Sequence, residues 1–215
     1  MFLNESFYSI APMMGKTDSY FCHLINLINK NVTVYTEMMH AESILRTKVL
    51  ENYKLLDNIE SIVIQIAGNN PSRLSLAAEK AAKIGFKEIN INCGCPSKRV
   101  TAGNFGISLL LQPILVRDCV ERIKTKTNKE ISIKTRIGVD QYNSKEVLDN
   151  FLHELNKVEV KKYIIHARIA LRKKFNTKDN LNVPSLNYER VYKLKRDFKK
   201  NKIIINGGFT HTDYR

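Results

Sequence analysis

The chain has 215 residues, 43% hydrophobic and 26% charged, the proportions of one ordinary globular domain, and its 35 Lys and Arg against 21 Asp and Glu give a formal charge of +14. That balance favours a polyanionic partner; no apolar run approaches the ~20 residues of a membrane span, and no basic segment followed by an apolar one opens the chain, so a cytoplasmic protein with no membrane partner is expected. Four cysteines, at 22, 93, 95 and 119, are too few and too uneven for a disulfide framework, and Cys93-Gly94-Cys95 lacks the second Cys or His pair that a zinc site requires, so no metal is expected.

Residues 7–10 read as a short apolar strand that ends at Ala11-Pro12-Met13-Met14, and Asp18 is placed to cap a helix over 19–30. A second strand is expected over 32–38, with Glu37 near its carboxyl end, and a helix over 41–50. Residues 61–66 form an almost unbroken apolar run of the kind buried on both faces in parallel sheets, with Gln65 near its end. Asn70 and Pro71 then open a helix whose apolar stripe is Leu74, Ala77, Ala78, Ala81 and Ile84, and Gly85 closes it. In the fourth strand Ile89 and Ile91 alternate with Asn90 and Asn92, and Gly94 and Pro96 break the pattern. Helices over 114–123, 143–155 and 187–198 alternate with strands over 131–137, 162–166 and 202–205, the last ending at Asn206-Gly207-Gly208.

Strands alternating with helices, without a linker or repeat, predict an α/β fold of the (β/α)8 TIM-barrel kind, apparently truncated after the seventh strand. Gln65, Asn92, Lys134, His166 and Asn206 each fall at the carboxyl end of a strand, the face on which barrel enzymes bind and react. Singly, each has the bland reading of a wet strand end. Lys134 and Arg136 lie two apart and so share a face of their strand, and charges that face a barrel interior call for an anion such as a flavin phosphate. Cys95 sits on the turn after the fourth strand as a potential nucleophile or acid, and the alternative for it is a buried, inert thiol. Neither GxGxxG nor GxxxxGK[ST] occurs, so a dinucleotide fold and a P-loop have no support.

Taken together, Ala11-Pro12-Met13-Met14, Tyr35-Thr36-Glu37-Met38, Asn90-Ile91-Asn92-Cys93-Gly94-Cys95-Pro96-Ser97, Ile133-Lys134-Thr135-Arg136-Ile137-Gly138, Ile164-Ile165-His166-Ala167-Arg168 and Ile205-Asn206-Gly207-Gly208 resemble the tRNA dihydrouridine synthases, most of all the bacterial A-type branch. The resemblance implies a monomeric FMN enzyme that uses NADPH to reduce a D-loop uridine of tRNA. It places FMN against Pro12, Met13, Met14, Gln65, Lys134, His166, Asn206, Gly207 and Gly208, the proton donor at Cys95, and tRNA contacts at Asn92 and at Lys178 in a basic loop over 172–182. Gly15 departs from the family's usual Asp, and Lys178-Asp179-Asn180-Leu181 from its usual Lys-x-x-Asn-Arg. The family's eighth strand and helical tRNA-binding domain do not precede Arg215, so residues 1–215 are expected to form an incomplete catalytic barrel. Two other readings stay open: an FMN barrel of the dihydroorotate dehydrogenase kind, and a degenerate copy that binds flavin or RNA weakly.

Overall fold

The computed structural model describes residues 8–56, 58–172 and 179–209. These fall into two compact units, one built from the chain up to Ile91 with Glu121–Ile131, the other from Asn92–Val120 and the chain from Ser132 onward. In the first unit β1 (Ser9–Ile10) pairs with β2 (Thr33–Tyr35), β2 with β4 (Ile62–Ala67), and β4 with β5 (Glu88–Cys93), all parallel. Every residue of β4 is buried, as an unbroken apolar run between two covering layers requires.

The helices of this unit start where the sequence caps them. Asp18 accepts the Phe21 amide at 2.9 Å ahead of α1 (Ser19–Ile28), and Asn70 accepts the Arg73 amide at 3.0 Å ahead of α3 (Pro71–Ile84). Gly85 ends α3 at φ +124°, and a Cβ there would lie 2.8 Å from Ile59 Cγ2, so only glycine fits. Asn70→Ala removes the α3 cap and is expected to cost about 1 kcal/mol of stability, read as a lowered urea midpoint at constant slope.

Some boundaries differ from the sequence expectation, each for a local reason. The second strand does not run through 38: Thr36 uses its hydroxyl to accept the Gln65 amide and Glu37 donates to the Thr17 carbonyl, so pairing resumes only at β3 (Met39–His40). The helix expected over 41–50 stops as α2 (Ala41–Arg46), because Thr47 turns extended and both its amide and hydroxyl donate to the Ser43 carbonyl. Helix α1 stops short of Lys30 because the Asn29 side chain accepts the Asn31 amide in a tight turn.

In the second unit β6 (Glu130–Val139, of which all from Ser132 belong here) pairs parallel with β7 (Lys162–Ala170), and β7 with β8 (Lys202–Asn206). The register sets Arg136 beside His166 and His166 beside Asn206, at one level and on one face. Strand β7 runs four residues past the expected end, its last carbonyl held by the Asp140 amide at 2.7 Å. Between β5 and β6 lie α4 (Lys98–Ala102), a 3-10 turn over Gly106–Leu111, and α5 (Pro113–Lys124). After β6 come α6 (Lys145–Asn156), then α7 (Asp179–Asn182) and α8 (Tyr188–Asp197), the last capped by Asn187. The α/β class with a parallel strand series of the barrel kind is thus borne out, and the last described strand is the seventh of the expected set.

Candidate active site

The turn after β5 is built around Asn92, whose Oδ1 accepts the amides of Gly94 at 3.2 Å and Cys95 at 3.0 Å. Gly94 lets this turn press on β6, since a Cβ there would lie 3.2 Å from the Thr135 Cα. The Cys95 carbonyl accepts the Ile107 amide at 3.1 Å, and Gly106, at φ +61°, leaves room for it where a Cβ would come within 2.7 Å. The turn is therefore fixed from both sides, with the Cys95 thiol half-buried at its tip. The buried, inert thiol is Cys93: it has no exposure, and burial holds it well above the usual thiol range.

Beside this turn the second unit gathers positive charge. Half-buried Lys134 donates to Asn206 Oδ1 at 3.0 Å, and burial followed by the nearby Arg136 pulls its pKa down to about 8. Arg136, 4% exposed, was expected to await an anion, but its guanidinium donates to the carbonyls of Gly94 at 3.2 Å, Ile169 at 3.4 Å and Asn180 at 3.0 Å. It braces three segments, and burial pulls its pKa down to about 10. His166, 7% exposed, is driven to about 2 by burial and then by Arg136, Lys134 and Arg168, against an opposing hydrogen bond with Asn206. The imidazole is therefore neutral at any physiological pH.

Unfolded chain takes up a proton at His166 near pH 6.5 and folded chain does not, so the stability that this neutral imidazole contributes is complete above pH 6.5 and is lost as pH falls from 6.5 toward 2. Between pH 7 and 4 the melting temperature of the unsubstituted chain is expected to fall further than that of His166→Gln. A difference that does not change with pH would show that His166 takes up its proton in the folded chain as it does in the unfolded one.

His166 Nε2 is buried with no partner among the described residues, and it faces Gly207, where a Cβ would come within 2.9 Å. Gly207 and Gly208 adopt φ +106° and +76°, so backbone rather than side chain faces the imidazole. Tyr188 fixes this loop: its hydroxyl donates to the Gly207 carbonyl at 2.6 Å, and its ring stacks on Phe209 at 5.5 Å.

The family model for dihydrouridine synthase (Dus) matches residues 9–214. The chain belongs to the dihydrouridine synthase family. Among curated proteins it is 39% identical over 204 residues to the tRNA-dihydrouridine(20/20a) synthase of Shewanella oneidensis and 36% identical over 205 residues to that of Synechocystis sp.. These matches take in 94% and 95% of this chain but 60% and 61% of those proteins, so the dihydrouridine synthase chain spans about three-fifths of their length. A crystal structure of a putative deoxyribose-phosphate aldolase from Toxoplasma gondii superposes with a TM-score of 0.51, covering 96% of this chain and 91% of its own at 15% identity, a likeness of fold alone.

Of the other residues singled out in this dihydrouridine synthase family member, Pro12, Met13, Met14, Gly15 and Gln65 lie in the first unit. The Met13 carbonyl accepts the amides of Lys16 and Thr17, so a tight turn begins at Met13, just after Pro12, with Met14 63% exposed. Gly15 follows at φ +67° and its amide donates to Glu37 Oε2 at 2.8 Å. Gln65, 1% exposed, donates from Nε2 to Asn90 Oδ1 at 2.7 Å. Lys178 lies outside the described residues. Of the loop expected over 172–182, α7 is helical, and the segment is pinned to β7: Asn180 exchanges hydrogen bonds with Leu171, while Arg168 donates to the carbonyls of Asn182 and Pro184. Sequence reasoning missed Tyr188, Asn180 and the bracing role of Arg136. The last had a signal, since an arginine facing inward can be met by main-chain carbonyls as well as by an anion.

Proposed function

We propose that the chain carries the flavin-binding, catalytic part of a tRNA-dihydrouridine synthase, which reduces uridine to 5,6-dihydrouridine in the tRNA D-loop, at positions 20 and 20a as named for its relatives, with FMN as cofactor and NADPH as reductant. The observation that carries this reading is a half-buried thiol, Cys95, standing within electrostatic range of two inward cations, Lys134 and Arg136, which adjoin a neutral His166 whose buried Nε2 has no partner among the described residues.

That set of groups fits FMN. Lys134 is protonated below pH 8 and offers a positive charge to an electron-rich ring edge or a phosphate. The unpartnered His166 Nε2 and the Gly207–Gly208 backbone present polar groups where a side chain would block them. If held there, FMN would be the source of the hydride for uracil C6. Cys95 as a thiol then protonates C5, and Asn92 holds the turn that aims it. A uridine must leave the stack to reach this thiol, which suits a chain of charge +14 acting on an unpaired loop. Pro12, Met13, Met14 and Gln65 are proposed as further flavin contacts, Lys178 as a phosphate contact, and the protein as a cytoplasmic monomer.

The deciding experiment incubates the chain with FMN, NADPH and unmodified tRNA and looks for a gain of two hydrogens at a D-loop uridine by nuclease digestion and mass spectrometry. Reduction of free uracil derivatives, with tRNA untouched, would replace this reading by that of a small-molecule flavin enzyme. Binding of tRNA is expected to weaken steeply with salt, log K falling by ~0.7 to 0.9 per phosphate contact for each decade of salt, measured by fluorescence anisotropy. Binding that ignores salt would remove the basic surface from the account.

A further inference from the structure

Ser97 stands at the N-cap position of α4, yet its hydroxyl makes no bond to the amides of that helix. Its main chain is held: the carbonyl accepts both the amide of Thr101 at 2.9 Å and the Thr101 hydroxyl at 3.1 Å. With the backbone fixed, the side chain turns the other way, and Ser97 Oγ accepts from Cys95 Sγ at 3.6 Å, within hydrogen-bonding range for sulfur. The usual task of a serine at this position is given up for a contact with the one half-buried thiol of the chain.

We propose that Ser97 is the positioning residue for Cys95: its hydroxyl accepts the S–H, fixes the direction from which the proton leaves and then turns to donate to the thiolate left behind. This rests on the reading of Cys95 as the acid that protonates uracil C5. A general acid must release its proton along a fixed line, and a hydroxyl that accepts from the thiol can rotate to donate to the thiolate, so the contact stabilises what the transfer leaves behind. The contact is local. Pro96 stands between the two residues, is buried, and restricts the backbone that joins them. Ser97 is itself half-buried, beside exposed Lys98 and Arg99, so its hydroxyl can take a proton from water and pass it to the sulfur after each transfer.

The test needs no turnover. The rate at which iodoacetamide alkylates Cys95 in the chain, measured by peptide mass spectrometry from pH 6 to 10, reports how much of the thiol is ionised. Ser97→Ala is expected to lower the rate at pH 7 about threefold and to move the profile to higher pH, while Ser97→Thr, which keeps a hydroxyl, stays with the unsubstituted chain. An unmoved profile, or faster alkylation in Ser97→Ala, overturns the proposal. So does an equal change in Ser97→Thr, which would mark a general loosening of the turn. A Cys95→Ala chain that still reduces tRNA would instead sink the reading of Cys95 as the acid, and the alkylation profile separates that failure from this one.

Discussion

Cys95→Ala is expected to lose uridine reduction by ~10²- to 10⁴-fold while still binding FMN, because a positioned general acid contributes on that order and alanine removes no group proposed to hold the flavin. The turn survives the change, since its hydrogen bonds run through the Cys95 amide and carbonyl, to Asn92 Oδ1 and from the Ile107 amide, and not through sulfur. Flavin absorbance and melting temperature are therefore expected to stay near those of the unsubstituted chain. Cys93→Ala provides the contrast: that sulfur is wholly buried and protonated, so its loss leaves a small cavity and turnover continues. Turnover by Cys95→Ala at the full rate, or its loss in Cys93→Ala alone, would reverse the assignment.

Arg136→Met is expected to destabilise the second unit by about 3–5 kcal/mol, the largest loss of stability among these substitutions. Each hydrogen bond from a charged donor is worth ~1.5–3 kcal/mol, and the carbonyls of Gly94, Ile169 and Asn180 would lose theirs in a site that admits little water. Methionine keeps most of the volume, so the loss reads the missing donors more than a cavity. Arg136→Lys should rescue little, because one ammonium cannot reach three carbonyls that a planar fork spans. Urea unfolding followed by circular dichroism measures both, and a change under about 1 kcal/mol in Arg136→Met would show the brace to be idle.

The elements were legible wherever the signal was local. Asp18 and Asn70 each cap the helix that their chemistry announces, and Gly85 closes α3 in the left-handed conformation that it alone tolerates. The site residues on strand ends were legible too, since the period of two puts Lys134 and Arg136 on one face and the parallel register brings His166 and Asn206 level with the latter. What the sequence hid were partnerships across long separations. Nothing near Asn180 foretells that it is wholly buried and bonded to Leu171, nor does anything near Tyr188 announce its bond to Gly207. The early stop of the second strand belongs to the same class, because the Thr36 hydroxyl finds its partner 29 positions away in Gln65.

The contrast between the cysteines also sets how the site fails under oxidants. Peroxide reaches Cys95 first, and the sulfenic acid formed there needs a second thiol to be trapped as a reversible disulfide. Cys22, Cys93 and Cys119 are each sealed in the interior, so none is at hand to act as that rescuer. Damage at Cys95 then proceeds toward sulfinic acid unless small-molecule thiols intervene, which ties the working life of the protein to the reducing strength of its surroundings.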